Sequence, residues 1–124
     1  MHNTDLLISS LVMLGLDATY ISIIKESYLQ QIEDIQKTKP NVNMIGVLLT
    51  YVTMILGLNY FIIQKKAPLF DAFLFGIVLY GVFDGTNFAL FSKWSTKLAI
   101  IDVLWGGFLM LATTYLTYNL SSFF

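Results

Sequence analysis

Four long apolar runs follow one another along the chain, at residues 6–24, 42–63, 69–91 and 98–118, with short polar segments between them. Each is close to the roughly 20 residues that a helix rising about 1.5 Å per residue needs to cross about 30 Å of hydrocarbon. A backbone in lipid must satisfy its own hydrogen bonds, so apolar runs of this length read as helices. Barrel strands would be about half as long and would alternate polar with apolar. The pattern predicts an all-α fold, a four-helix transmembrane bundle forming a single membrane domain over residues 1–124. The first run lacks a basic segment ahead of it and a small-residue cleavage site behind it. It is therefore expected to be a retained helix and not a secretory signal.

The connections differ in kind. Lys65-Lys66-Ala67-Pro68 is a tight turn, with Pro68 suited to the start of the third helix. In Ser92-Lys93-Trp94-Ser95-Thr96-Lys97, Ser95 or Thr96 can cap the fourth helix and Trp94 suits a membrane interface. The first connection, KESYLQQIEDIQKTKP, is longer. Its apolar residues Tyr28, Leu29, Ile32 and Ile35 recur at helical spacing, and Glu33 and Lys37 form an i,i+4 pair. This predicts a short amphipathic interfacial helix over residues 26–38, between the first and second spans. The same spacing also fits a cytosolic extension of the first helix. Lysines number five in the first and third connections (Lys25, Lys37, Lys39, Lys93, Lys97) against two in the second (Lys65, Lys66). That bias places both termini on the non-cytosolic side of a multi-pass integral membrane protein.

Composition agrees. Apolar residues make up 56% of the chain and charged residues 12%. A soluble bundle this small could not cover so much apolar surface, so the lipid bilayer is the expected partner. A net charge of −1 without clustered basic residues excludes nucleic acid as a partner. Arginine and cysteine are absent, which removes bidentate phosphate recognition, thiolate chemistry and thiolate metal sites. One histidine rules out a two-histidine metal site, and nothing in the pattern calls for a cofactor.

Against this background three carboxylates inside the spans stand out: Asp17, Asp84 and Asp102. Each opposes insertion by roughly 2.5–3.5 kcal/mol at mid-membrane, so packing or function must hold them. Counting about 1.5 Å per residue from the cytosolic helix ends puts them about 10, 10 and 6 Å deep, in one layer. Faces agree with depth. Gly76, Tyr80, Asp84, Asn87 and Phe91 form one stripe on the third helix. Asp102, Trp105, Gly106, Leu109 and Thr113 form another on the fourth, and Ser10, Met13, Asp17 and Tyr20 a third on the first. Tyr51 and Asn59 share a face of the second. Gly81-x-x-x-Gly85 and Gly106-Gly107 are candidates for close helix approach.

Three acids in one dry layer cannot all ionise cheaply, and no lysine within the spans neutralises them. A proton, a metal ion or an organic cation is the natural partner. The candidate binding residues are Asp17, Asp84, Asn87 and Asp102, with Tyr20, Tyr51, Tyr80 and Trp105 as aromatic neighbours able to form a cation cage. The plainer alternative is a hydrogen-bonded network that only holds helices together. Intramembrane hydrogen bonds average below about 1 kcal/mol, which is poor compensation for three acids. "LDATY" at 16–20 and "FDGTN" at 83–87 place Asp, a small residue and Thr alike on helices running the same way, a faint internal echo.

At these residues the chain resembles domain-of-unknown-function family 2177, predicted membrane proteins. The matching pieces are "LDATYI", Tyr28, Tyr51, Gly57, "FGIVLYGVFDGTN", Trp94 and "DVLWG", spread over nearly the whole length. The sequence departs at Tyr20, where tryptophan is common, at Gly85, where leucine is common, and at Ser95, where proline is common. The resemblance implies four membrane helices and carries over no catalytic residue. The leading expectation is binding or translocation of a proton or small cation at an acidic pocket in the cytosolic half. The alternatives are a membrane-embedded enzyme acting on a lipid or other hydrophobic ligand, with one Asp as acid and its neighbour as base, and a structural subunit. A homo-oligomer is compatible with a bundle of this size.

Overall fold

The computed structural model describes residues 2–124. Four helices follow in order: α1 (Asn3–Gln36), α2 (Met44–Leu58), α3 (Leu69–Leu90) and α4 (Thr96–Ser121). A π-helical turn, Asn59–Ile63, continues α2 without a break. With that turn included, each helix is long and apolar enough to cross a bilayer. Their outer faces carry exposed Leu7, Leu11, Ile45, Leu48, Val82 and Leu104. Such surfaces are tolerable only against lipid. The chain is a multi-pass membrane protein.

Local chemistry sets the helix ends. Asn43 caps α2 by accepting from Ile45 N at 3.0 Å. Ser95 caps α4 by accepting from Leu98 N at 3.1 Å. Pro68, at the N-cap of α3, has no N–H to leave unsatisfied there. Lys37 ends α1 in the left-handed region, at φ 67°, with its N–H on Glu33 O. The π turn is marked by bonds five residues apart, Gln64 N to Asn59 O and Ala67 N to Ile62 O. Tyr118 of α4 steadies it by donating to Ala67 O at 2.8 Å.

The short interfacial helix expected over 26–38 does not exist as a separate element. α1 runs unbroken for 34 residues, about 50 Å at 1.5 Å per residue, well beyond the thickness of the hydrocarbon. No glycine or proline interrupts residues 25–36, and Tyr28, Leu29, Ile32 and Ile35 continue the register of α1 itself. Their helix docks on the α3–α4 connection instead of lying flat. Tyr28 meets Trp94 edge-on at 5.8 Å. The buried Gln31 side chain accepts from Ser95 N, and Lys93 Nζ reaches Asp34 O at 3.4 Å. Lys93 also stands beside Lys37 and pushes its ammonium below the ordinary lysine range.

α3 and α4 form the most extensive interface, followed by α1 with α4. Glycines set the first of these. A Cβ on Gly76 would collide with the Gly106 carbonyl and stand 2.8 Å from Gly107 Cα. One on Gly106 would enter the Tyr80 ring, and one on Gly107 would lie 2.7 Å from Phe73. The Gly106-Gly107 expectation is met, with Gly76 as its partner. Gly81 and Gly85 bring no neighbour close, since the space beside each is open to 4 Å. They lie on the side of α3 turned away from the tight contact. The core, Met13, Leu58, Ile62, Ala72, Leu109 and Met110, fills the half of the bundle nearest the α2–α3 turn.

Candidate functional site

α2 joins the bundle at its C-terminal end only. Leu58 is its one buried residue, whereas Met44, Ile45, Leu48 and Leu49 are all more than 60% exposed. Between this free half and helices α1, α3 and α4 lies a cleft of about 950 Å³. Its walls are mainly aliphatic and aromatic. Along α1 the lining begins at Asp17 and extends past Lys25 to Leu29; along α2 it extends from Val42 to Met54. Asp17, Tyr20, Tyr51, Tyr80 and Asp102 form its polar end.

The three acids are held by aromatic donors. Trp105 Nε1 donates to Asp17 Oδ1 at 2.9 Å, and the Tyr51 hydroxyl donates to Asp17 Oδ2. The Tyr20 hydroxyl donates to Asp102 Oδ1 at 3.1 Å. Trp94 Nε1 donates to Asp84 Oδ1 at 3.3 Å. Tyr20 and Trp105 lie flat on each other, centroids 4.7 Å apart and planes within 4°, so the Asp17 and Asp102 attachments form one unit. Neutral N–H and O–H donors stabilise a carboxylate without cancelling its charge.

Exposure separates the acids. Asp17 and Asp102 are 6% and 7% exposed and line the cleft; Asp84 is 1% exposed and stands behind Asp102. The Asp84 and Asp102 carboxyls are within hydrogen-bonding reach of each other. Asp84 Oδ2 is buried and receives no donor among the described residues. No group of three His, Cys, Asp or Glu side chains among those residues is placed to hold a metal ion.

The structure therefore gathers seven of the eight candidate residues: Asp17, Asp84, Asp102, Tyr20, Tyr51, Tyr80 and Trp105. Tyr80 contributes by covering Gly106 and lining the cleft. Asn87 is not gathered. It lies one turn beyond Asp84, half-buried, and its side chain makes no hydrogen bond among the described residues. In sequence, Tyr20, Tyr51 and Trp105 suggested cage walls; here their polar atoms serve as donors to the acids.

Trp94 is the residue whose role the sequence did not disclose. It is 5% exposed, boxed in by Tyr28, Phe83 and Phe91, and bonded to Asp84. Its loop position suggested a lipid interface, and only its place among the quoted matching pieces marked it out. A second polar group lies deeper. Asn59 Nδ2 donates to Ser9 Oγ at 2.9 Å and to Ile55 O at 2.8 Å, inside the π turn.

Fold and site together define a four-helix integral membrane protein with an aromatic-bonded acid cluster at one end of a lateral cleft. The chain belongs to the family described as predicted membrane protein (DUF2177), whose model matches residues 4–121. No curated protein and no solved structure matches it.

Proposed function

We propose that the protein binds a hydrophobic organic cation, its apolar body in the cleft and its charge against Asp17 and Asp102. One observation carries this reading. Two carboxyls without a cationic side-chain partner stand at the polar end of a cleft of about 950 Å³ whose other walls are mainly apolar. A proton or small cation, the expectation from sequence alone, needs only the acid layer. The volume and lining of the cleft suit a ligand with a large apolar part as well. The free half of α2 supports entry from the bilayer, where a hydrophobic cation is concentrated. The lysine bias places the mouth of the cleft toward the cytosol, so binding from the inner leaflet and translocation outward follow as the transport form of the same reading.

The test uses two probes of matched size and opposite charge, tetraphenylphosphonium and tetraphenylborate. Protein in lipid nanodiscs should bind the phosphonium saturably and discriminate against the borate. Asp17→Asn and Asp102→Asn should each reduce that discrimination while leaving the particle monodisperse. Equal uptake of both ions by the intact protein would show only partitioning and sink the proposal.

A second reading, an enzyme acting on a hydrophobic substrate, is favoured by the Asp84–Asp102 pair, because adjacent carboxyls of unlike exposure can act as acid and base. Incubation with membrane lipid extract should then yield a product that Asp102→Asn does not form. An unchanged lipid profile counts against it.

A further inference from the structure

The proposed function leaves one buried group unused. Asp84 does not line the cleft, yet it is the most deeply buried of the three acids. Trp94 satisfies its Oδ1, while Oδ2 is sealed from solvent with no donor among the described residues. The neighbour within hydrogen-bonding reach is another carboxyl, Asp102. Two carboxylates side by side in a dry interior repel and lack a hydrogen between them; one proton shared by the pair supplies the missing bond and removes one charge.

The other groups acting on the pair do not take over that role. From α1 they are Asp17, Tyr20 and Tyr28, and from α3 Tyr80. From the α3–α4 connection there is the neutral Trp94. Lys25 is the cationic residue on the cleft wall, eight positions along α1 from Asp17, about 12 Å at helical rise.

We infer that Asp84 and Asp102 hold one proton between them and release it when a hydrophobic cation enters the cleft, so that the site exchanges one cation for one proton. This rests on the proposed cation site and adds the coupling. Before binding, one carboxylic acid donates to one carboxylate, and the pair carries a single negative charge. The incoming positive charge beside Asp102 stabilises the doubly ionised pair, and the O–H bond breaks heterolytically. The proton leaves through the cleft to water. The pair with its cation again carries a single net negative charge. Cation and proton compete for the same two carboxyls, and by linkage each weakens the other's binding equally. Asp102 meets the ligand; Asp84 is a positioning residue that acts through it.

The experiment titrates tetraphenylphosphonium into weakly buffered protein in nanodiscs containing a pH-indicator dye, across a range of pH. Up to about one proton should be released per cation bound. Over the range where the pair is protonated, apparent affinity should rise by up to about tenfold per pH unit, the limit for one linked proton. Asp84→Asn places a permanent amide donor opposite Asp102. It should retain binding while losing both proton release and pH dependence. Binding by the intact protein that is pH-independent and releases no proton overturns the coupling and leaves the cation site standing. Absence of saturable binding at every pH overturns both. Because the first measurement needs no variant, misfolding of Asp84→Asn cannot protect the inference.

Discussion

Tyr20 of α1 and Trp105 of α4 lie face to face, 4.7 Å between centroids, and address different acids. The Tyr20 hydroxyl donates to Asp102, on the same helix as Trp105. The Trp105 indole donates to Asp17, on the same helix as Tyr20. Each helix thus supplies the donor for the other's carboxyl, and the stacked rings lock the exchange. This crossed pairing makes the acid layer a structural joint between α1 and α4 as well as the polar end of the cleft.

Removing one donor from that joint should therefore be felt in stability. Trp105→Phe keeps an aromatic ring and deletes one of the two donors to Asp17. A loss of about 1 kcal/mol is expected, the usual net worth of a hydrogen bond. Trp105→Phe with Tyr51→Phe strips both and should lose more than the sum of the single changes. Thermal unfolding in detergent, followed by size-exclusion chromatography, measures all three.

The glycines separate tight from open positions. Gly76→Ala and Gly106→Ala push a methyl into a backbone carbonyl and into the base of the Tyr80 ring, respectively. Each should destabilise by about 1–3 kcal/mol, as overpacking does. Gly81→Ala and Gly85→Ala meet open space and should be neutral or gain up to about 1 kcal/mol from better helix propensity. A reversed ranking in the same unfolding assay would mean that the α3–α4 contact runs through the other pair.

Docking of the α1 extension has a local readout. Gln31→Ala removes the acceptor for Ser95 N. Faster hydrogen exchange at residues 92–96 is expected, with exchange in the spans unchanged. Adding Tyr28→Ala, which removes the edge contact to Trp94, should enlarge the effect. If the extension were free of the α3–α4 connection, neither change would alter exchange there.

The cleft can be filled without touching an acid. Thr50 is exposed on α2 and lines the cleft. Thr50→Trp should lower tetraphenylphosphonium affinity by about tenfold, about 1.4 kcal/mol, and leave the unfolding temperature unchanged. Leu7→Trp, on a lipid-facing position, serves as the control and should leave affinity as it was.

The four spans and the acid layer were legible along the chain because lipid imposes simple rules. A helix must be apolar for a set length, and a carboxyl within it is expensive enough to be noticed. Asp17, Asp84 and Asp102 could be placed at one depth by counting residues. Asn87 fitted the same stripe as Asp84 by period alone, yet the packing leaves its side chain without a partner. The α1 extension was readable as helix, but periodicity could not say whether it lay flat or continued upright.

What only the tertiary structure decided is how the helices turn toward one another. Trp105 and Asp17 are 88 positions apart, and Tyr20 and Asp102 are 82 apart. A 3.6-residue period shows which residues share a face and says nothing of the face opposite. Gly76 and Gly106 make the close contact while Gly81 and Gly85 do not, because side-chain shape across the interface selects among small residues that look alike in sequence. The stand-off of α2, which opens the cleft, likewise follows from where its one buried residue, Leu58, anchors it. The sequence by itself determined a membrane bundle with buried acids; packing determined which rings donate to them and which two of the three face the cleft.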